Sequence, residues 1–255
     1  AKVPFAEISW PTVGAYLVSE LFVYVSVAFI MYRVFKLSLG ESILLGMASG
    51  FVNHLLFVLP IAKTLYGVES VTPIVSIVFV DTIIFCCTVL TIEYIQIRQQ
   101  KPLNSQSLLT VLLMILKNPL VIASSLGLIA ASMPNIIPVG IFTYAGFVGA
   151  AAAPASLFAL GVILAGQSLQ PIGWIVGLTV FAKLILHPLL FSAFAAYSAI
   201  SPDWQKMVLL VAAGPCGAMP FVIAMQYGIE SSKIAKAVMI STVLSLLSLS
   251  YLTAS

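Results

Sequence analysis

The sequence has little charge. Of its 255 residues 7% are charged and 61% are hydrophobic, whereas an ordinary soluble domain has about 25% charged and roughly 45–50% apolar residues. Eleven Lys and Arg with eight Asp and Glu cannot cover a water-soluble fold of this size, so the lipid bilayer must be the solvent for most of the surface. This excludes cytosolic enzymes and secreted disulfide scaffolds. The net charge of +3 is also too small and too scattered to bind nucleic acid.

Cysteine is scarce as well. Cys86, Cys87 and Cys216 lie in apolar runs, are odd in number and lack the CxxC spacing of zinc or redox sites, so we expect them to pack in the core. HExxH, GxSxG, P-loop and GxGxxG patterns are absent. The sequence therefore predicts neither an enzyme nor a nucleotide- or metal-dependent pump, and no cofactor.

Long apolar runs are abundant. A membrane span needs about 20 mostly apolar residues, and the chain supplies eight such runs. They are Val13–Phe35, Glu41–Leu65, Val71–Ile95, Leu108–Ala131, Pro138–Ala165, Pro171–Ala195, Trp204–Tyr227 and Ser232–Leu252. Strand-like alternation is absent, so we predict an all-α polytopic membrane protein with eight visible transmembrane helices.

The distribution of Lys and Arg predicts an orientation. When the loops are assigned alternately to two sides, one side has twice as many basic residues as the other. The richer side has Arg33, Lys36, Arg98, Lys101, Lys233 and Lys236, and the poorer side has Lys2, Lys63 and Lys206. Cytoplasmic loops carry the positive excess, so the C-terminus is expected outside the cytoplasm.

Two short stretches repeat. Tyr66-Gly67-Val68-Glu69-Ser70 closes the second span, and Tyr227-Gly228-Ile229-Glu230-Ser231 closes the seventh, 161 positions later. Repeats of five spans insert with opposite topology. We therefore expect an incomplete first inverted repeat with three full spans at 1–96, a cytoplasmic linker at 97–107 and a second repeat of five spans at 108–255. The natural protein would then have ten spans, with this chain beginning near the end of the second.

The second and seventh spans are interrupted by prolines and small residues. Proline removes a backbone donor and clashes with the preceding turn, so Pro60 and the Pro215–Pro220 pair should break or kink their helices. Paired interruptions in inverted halves indicate a transporter's midplane binding site, although ordinary kinks are the alternative. The candidate substrate-binding residues are Asn53, Pro60, Gly214, Pro215, Gly217 and Pro220.

The ends of broken helices suit an anion. Half-helix N-termini present free N–H groups and a positive dipole end. The amide of Asn53 can both donate and accept hydrogen bonds. Asn53 could therefore bind a carboxylate or cap a half-helix.

A few ionisable residues fall inside the spans, where each costs roughly 2.5–3.5 kcal/mol. Asp81, Glu20 and Lys183 are candidates for proton or ion coupling, and Lys183 falls beside Phe22, near Glu20, by the repeat offset. Asp81 could instead be the counter-ion of Lys183, in a structural ion pair. His54 and His187 are lone histidines, which we expect to pack or to lie near an interface.

Five segments together resemble the auxin efflux carrier family, which includes plant PIN-formed exporters and bacterial malonate or malate permeases. They are GFVNHLLFVLPIAKTLYG, LKNPLVIASSLGL, APASLFALGVILAG, AKLILHPLL and GPCGAMPFVIAMQYGIESSKIAKAVMISTVLSLLSL. The resemblance covers nearly the whole chain, and the last segment is the most specific.

The resemblance implies the fold of the wider bile acid, arsenite and riboflavin transporter superfamily. It has ten helices in two inverted five-helix repeats, with a scaffold and a transport domain. The broken fourth and ninth helices cross at the substrate site, which would place Asn53, Pro60 and 214–220 there. Plant members have an Asn before the second break where this chain has Gly214, a difference that favours organic anions other than auxin.

The predicted function is secondary transport of small organic anions, such as carboxylates, by alternating access, driven by a gradient of substrate, protons or sodium. The short linker favours a bacterial carrier of the inner membrane, and the family leaves a homodimer open. The alternatives are a cation/proton antiporter of related fold and a membrane sensor that does not transport.

Overall fold

The computed structural model describes residues 8–100, 122–123, 126–127, 129–130, 137–165 and 172–254. These residues are almost all helical. In chain order the helices are α1 (Trp10–Arg33), α2 (Leu39–Gly50), α3 (Leu59–Tyr66), α4 (Val71–Gln100), α5 (Val139–Ala165), α6 (Trp174–Phe181), α7 (His187–Ala196), α8 (Pro202–Ala212), α9 (Met219–Gln226) and α10 (Ser232–Ala254). Among them, α1, α4, the run from α6 through α7, and α10 are long and apolar enough to cross a membrane.

Two compact units divide the chain. One comprises residues 3–81 and 160–255, and the other comprises residues 82–159. The second unit contains most of α5, whose run of 27 residues matches the fifth predicted span. The fourth predicted span, at 108–131, lies almost entirely outside the described residues. Every residue discussed below as part of the candidate site belongs to the first unit.

Glycines let α1 and α2 approach closely. A Cβ on Gly46 would lie 2.5 Å from the backbone oxygen of Tyr24, and a Cβ on Gly50 would lie 3.0 Å from Cγ of Glu20. The two glycines are four residues apart and share one helix face, a spacing that brings membrane helices together. The contact places Glu20 against the last turn of α2.

The second predicted span is broken, but earlier than we predicted. The helix α2 ends at Gly50, the chain is extended at Phe51, and a π-helical turn, His54–Val58, leads into α3. Pro60 lies after this interruption, in the first turn of α3. The helical run already begins at His54, so Pro60 lies inside it, and the π-helical turn directly before Pro60 is the kind of distortion that a proline favours.

The seventh predicted span is broken at 213–218, between α8 and α9. The two interruptions share further features. Pro60 and Pro220 are each the second residue of the following half-helix. Gly67 and Gly228, which follow those half-helices, both have positive φ, at 74° and 63°. Only glycine adopts this conformation readily, which explains the Tyr-Gly pair at both places.

Contacts between distant segments join matching ends of these helices. Lys233 Nζ donates to Glu41 Oε1 at 2.7 Å, which joins the start of α10 to the start of α2. Lys206 Nζ lies 5.0 Å from the centre of the Tyr66 ring, which joins α8 to the end of α3. Both contacts connect the second predicted span to the C-terminal part of the chain.

Two local predictions differ from the structure. The helix α4 continues to Gln100, into the predicted linker, because the polar residues that follow Ile95 include good helix formers such as Gln and Arg. Cys216 is buried as expected, but Cys87 is exposed. An apolar environment outside the protein accepts a thiol as well as the core does, so an apolar run does not by itself indicate burial.

Candidate functional site

The two interrupted spans meet at their unwound segments, Phe51–Asn53 and Pro215–Gly217, which we call the crossing. The segments pair antiparallel around Val52 and Cys216. The Asn53 N–H donates to the Pro215 carbonyl at 3.1 Å, and the Gly217 N–H donates to the Phe51 carbonyl at 2.9 Å. Each break thus satisfies backbone groups that the other leaves without helical partners, as membrane depth requires.

Glycines on the second segment permit this close approach. A Cβ on Gly217 would lie 2.5 Å from Cδ1 of Phe51, and a Cβ on Gly214 would lie 2.6 Å from Cγ2 of Val58. Both distances are shorter than carbon atoms tolerate. These two glycines, both predicted site residues, therefore let the two segments touch.

Asn53 brings a side-chain amide to the crossing. Its side chain does not cap the following turn, so the capping role that the sequence left open is not observed. Within the described part of the chain no hydrogen bond to this amide is seen, although Asn53 is only 7% exposed. Pro215 and Pro220 are buried nearby, whereas Pro60 is exposed and is not among the buried residues of the crossing.

Two carboxyl groups are buried beside the first segment. Glu20 is 0% exposed and Asp81 is 1% exposed, and the two carboxyl groups are close enough to hydrogen bond when one carries a proton. Asp81 Oδ2 lies 2.8 Å from His54 Nε2, but these atoms are not aligned as a hydrogen bond. The Val52 N–H also faces Asp81.

Lys183 is not the ion-pair partner of Asp81, which was one of the expectations. It lies in a π-helical turn, Ala182–Leu186, and is fully buried. Its Nζ donates to the Ala212 carbonyl at 2.9 Å and lies 2.8 Å from His187 Nδ1. A cation is stabilised at a helix C-terminus, and Ala212 is the last residue of α8.

Glu20 and Lys183 each lie beside the end of a half-helix in the structure. Glu20 packs on the last residue of α2, and Lys183 bonds the last residue of α8. Each is therefore at the end of the half-helix that precedes a break. Lys183 remains within electrostatic range of both carboxyl groups, so the group contains two acids and one lysine.

Several functional candidates were missed in the sequence. His54 contacts Asp81, and His187 contacts both Lys183 and the ring of Tyr16, whose centre is 5.2 Å away. The spacing of four residues between Lys183 and His187 is the signal that could have found one of them, because it puts both on one helix face. Nothing in the local sequence links His54 with Asp81.

Two comparisons with known proteins show the family of the chain. The family model described as membrane transport protein matches residues 6–253. A protein of Rhizobium meliloti (strain 1021), named "Putative malonate transporter", is 34% identical over 129 residues. That match covers 50% of this chain and 40% of the relative's length. The chain is thus a multi-pass integral membrane protein that belongs to the membrane transport protein family, the auxin efflux carrier family that its motifs resemble.

Proposed function

We propose that this chain holds the substrate site of a secondary carrier for small organic anions such as carboxylates, which works by alternating access. The observation that carries the proposal is the buried antiparallel contact of two unwound segments. Unwound backbone at membrane depth is the usual setting of a transporter's midplane site. The family and the relative's name support transport of a small molecule and a dicarboxylate as the first substrate to test.

An anion fits the crossing better than a cation does. The turn after Asn53 and the start of α9 are both helix N-termini, which favour negative charge. The Asn53 amide has donors that no described residue uses, and Lys183 adds a buried positive charge nearby. One carboxylate of the substrate would accept from the Asn53 side-chain amide and from the first N–H groups of the turn that follows it, and its second carboxylate would lie at the start of α9.

Glu20, Asp81 and Lys183 are the proposed coupling residues. Two buried acids with a single lysine leave one negative charge to be compensated, which either a proton or a sodium ion could do. The same pair of acids is what favours the second candidate function, a cation/proton antiporter. The two functions differ in which species crosses the membrane.

The membrane placement remains part of the proposal. The basic residues predict that Glu41 and Lys233, which are paired in the structure, face the cytoplasm of a bacterial inner membrane. The C-terminus would then lie outside. A homodimer is the proposed assembly, by the resemblance to the family.

Uptake of labelled malonate into proteoliposomes tests the function. Asn53→Ala should weaken the apparent affinity about tenfold, which is about 1.4 kcal/mol and is typical of one hydrogen bond to a charged group. Gln226→Ala is the matched control, because it removes an exposed amide at the far end of α9. Wild-type affinity in Asn53→Ala would move the site elsewhere.

The gradients and a binding measurement separate the alternatives. Uptake that requires an imposed proton or sodium gradient identifies the coupling ion. Exchange of cations for protons without malonate transport would identify an antiporter. Malonate binding without uptake would identify a sensor.

A further inference from the structure

His54 joins the crossing to the buried carboxyl groups. It follows Asn53 directly in the chain, and its ring packs edge-on against Phe51, with 5.8 Å between ring centres. Its Nε2 lies 2.8 Å from Asp81 Oδ2 on α4. A movement of Asp81 would therefore move His54, and through it Asn53 and the ring of Phe51.

The carboxyl pair of Glu20 and Asp81 has an unfilled hydrogen-bonding capacity. Within the described part of the chain, neither oxygen of Glu20 accepts an aligned hydrogen bond, and the oxygens of Asp81 have only the close contacts with His54 and Val52 described above. A carboxylate only accepts hydrogen bonds, whereas a protonated carboxyl group also donates one. A single proton would thus let one of the two acids bond to the other. It would also leave one negative charge to balance Lys183.

We propose that His54 is a positioning residue that ties the placement of Asn53 to the proton shared by Glu20 and Asp81. With the proton bound, Asp81 would bond to Glu20, and His54 would touch Asp81 without an aligned hydrogen bond. This structure has that His54–Asp81 geometry. When the proton leaves for water, the Asp81 carboxylate accepts from His54 Nε2–H. The imidazole then turns, and the backbone at Asn53 turns with it.

Other titratable groups share the electrostatic environment of the carboxyl pair. Tyr16 on α1 and Lys183 in the π-helical turn interact with both acids. His187 on α7 and Cys216 in the second unwound segment interact with Lys183. Lys183 and His187 bond to each other and Lys183 to α8, so their hydrogen bonds do not involve the pair. Direct contact at ion-pair distance is made by His54.

Infrared spectroscopy of the purified protein tests the proton without any substrate. The carbonyl band of a protonated carboxyl group should titrate with pH, and it should weaken in both Glu20→Gln and Asp81→Asn. His54→Ala removes the donor that stabilises the carboxylate, so the midpoint should rise by about one pH unit, a tenfold change in proton affinity. His54→Gln keeps an N–H at a similar reach and should titrate like the wild type.

Matched variants separate positioning from folding. Where His54→Ala does not fold, His54→Asn replaces it, because the shorter amide cannot reach Asp81 and should shift the midpoint upward as His54→Ala would. Glu41→Gln removes a carboxyl group from an ion pair at the other end of α2 and should leave the titration unchanged. An unshifted midpoint in His54→Ala or His54→Asn, or a band that is absent from the wild type, overturns the proposal. So does a His54→Gln that behaves like His54→Ala.

The link to Asn53 depends on the proposed function and has its own readout. The dissociation constant of malonate should vary with pH around the infrared midpoint in the wild type and in His54→Gln. In His54→Ala it should vary less than threefold across the same range. A His54→Ala variant that keeps the wild-type pH dependence would refute the link. Failure of the wild type to bind malonate would count against the proposed substrate and leave the infrared result standing.

Discussion

The two unwound segments have the same backbone role but different side-chain chemistry. The segment Phe51–Asn53 has polar groups of its own and beside it. Asn53 carries a side-chain amide, and the backbone N–H of Val52 faces the Asp81 carboxyl group. In Pro215–Gly217 the contacts are made mainly by the backbone. Here the Cys216 N–H donates to Ser241 Oγ at 3.1 Å. The first segment contacts a buried carboxyl group, whereas the hydrogen bond seen at the Cys216 N–H of the second segment is with a neutral hydroxyl. On the function proposed above, the first segment would respond to protonation, and the second, which we call the supporting segment, would hold it in place.

The half-helices before the breaks differ in the same way. At the end of α8 the Lys183 ammonium bonds the Ala212 carbonyl, which stabilises a helix C-terminus. At the end of α2 the neighbour is Glu20, an acid that a helix C-terminus disfavours when it is ionised. The end of α8 is therefore stabilised by its contact with Lys183, whereas the contact of the end of α2 with Glu20 is favourable only when Glu20 is protonated.

The largest expected effect comes from adding a side chain to the supporting segment where it touches the first segment. Gly217→Ala places a Cβ 2.5 Å from the Phe51 ring and 3.2 Å from the Val52 carbonyl. Overpacking of this kind costs about 1–3 kcal/mol, and the displaced ring is the one that packs on His54. Thermal unfolding in detergent should show the loss, together with reduced malonate uptake.

Gly177→Ala serves as the control for Gly217→Ala. It is a glycine within the helix α6, and a Cβ there meets no atom within 4 Å. Its melting temperature should equal or exceed that of the wild type. Equal stability of the two variants would mean that the segments do not need to touch.

Part of this comparison could be predicted from the sequence. The repeated Tyr-Gly-x-Glu-Ser stretch located the ends of both broken spans, because a glycine with positive φ and a proline in the first turn are local requirements. Interruption of the second and seventh spans was predicted for the same reason. These features depend on a few neighbouring residues, which a sequence displays directly.

The pairing of side chains across the fold was not predictable in the same way. His54 and Asp81 are far apart in sequence and meet only because α4 returns beside the break. The choice of Ala212 rather than Asp81 as the partner of Lys183 likewise depends on how α7 packs on α8. Pro60 marked the right span, and a π-helical turn lies directly before it, but the unwound segment lies several residues earlier, at Phe51–Asn53.

Removing the partner of the supporting segment should have an intermediate effect. Ser241→Ala deletes the hydroxyl that accepts the Cys216 N–H and leaves a buried donor unpaired, which costs about 1–3 kcal/mol. The melting temperature should fall while the pH dependence of malonate binding keeps its wild-type form. A changed pH dependence would show that the second segment also takes part in proton sensing, and would remove the distinction drawn above.

The smallest effect is expected at the ends of the two broken spans, where the halves should behave alike. Gly67 and Gly228 have positive φ and open space around them, so alanine meets no clash and the cost is that of the backbone alone, about 1 kcal/mol for each variant. Gly14→Ala, within α1 and equally open, should instead stabilise the protein slightly because alanine favours a helix. Thermal unfolding of the three variants measures these differences. Similar losses at Gly67 and Gly228 would place the asymmetry of the molecule at the crossing, whereas a loss at only one of them would extend that asymmetry to the ends of the spans.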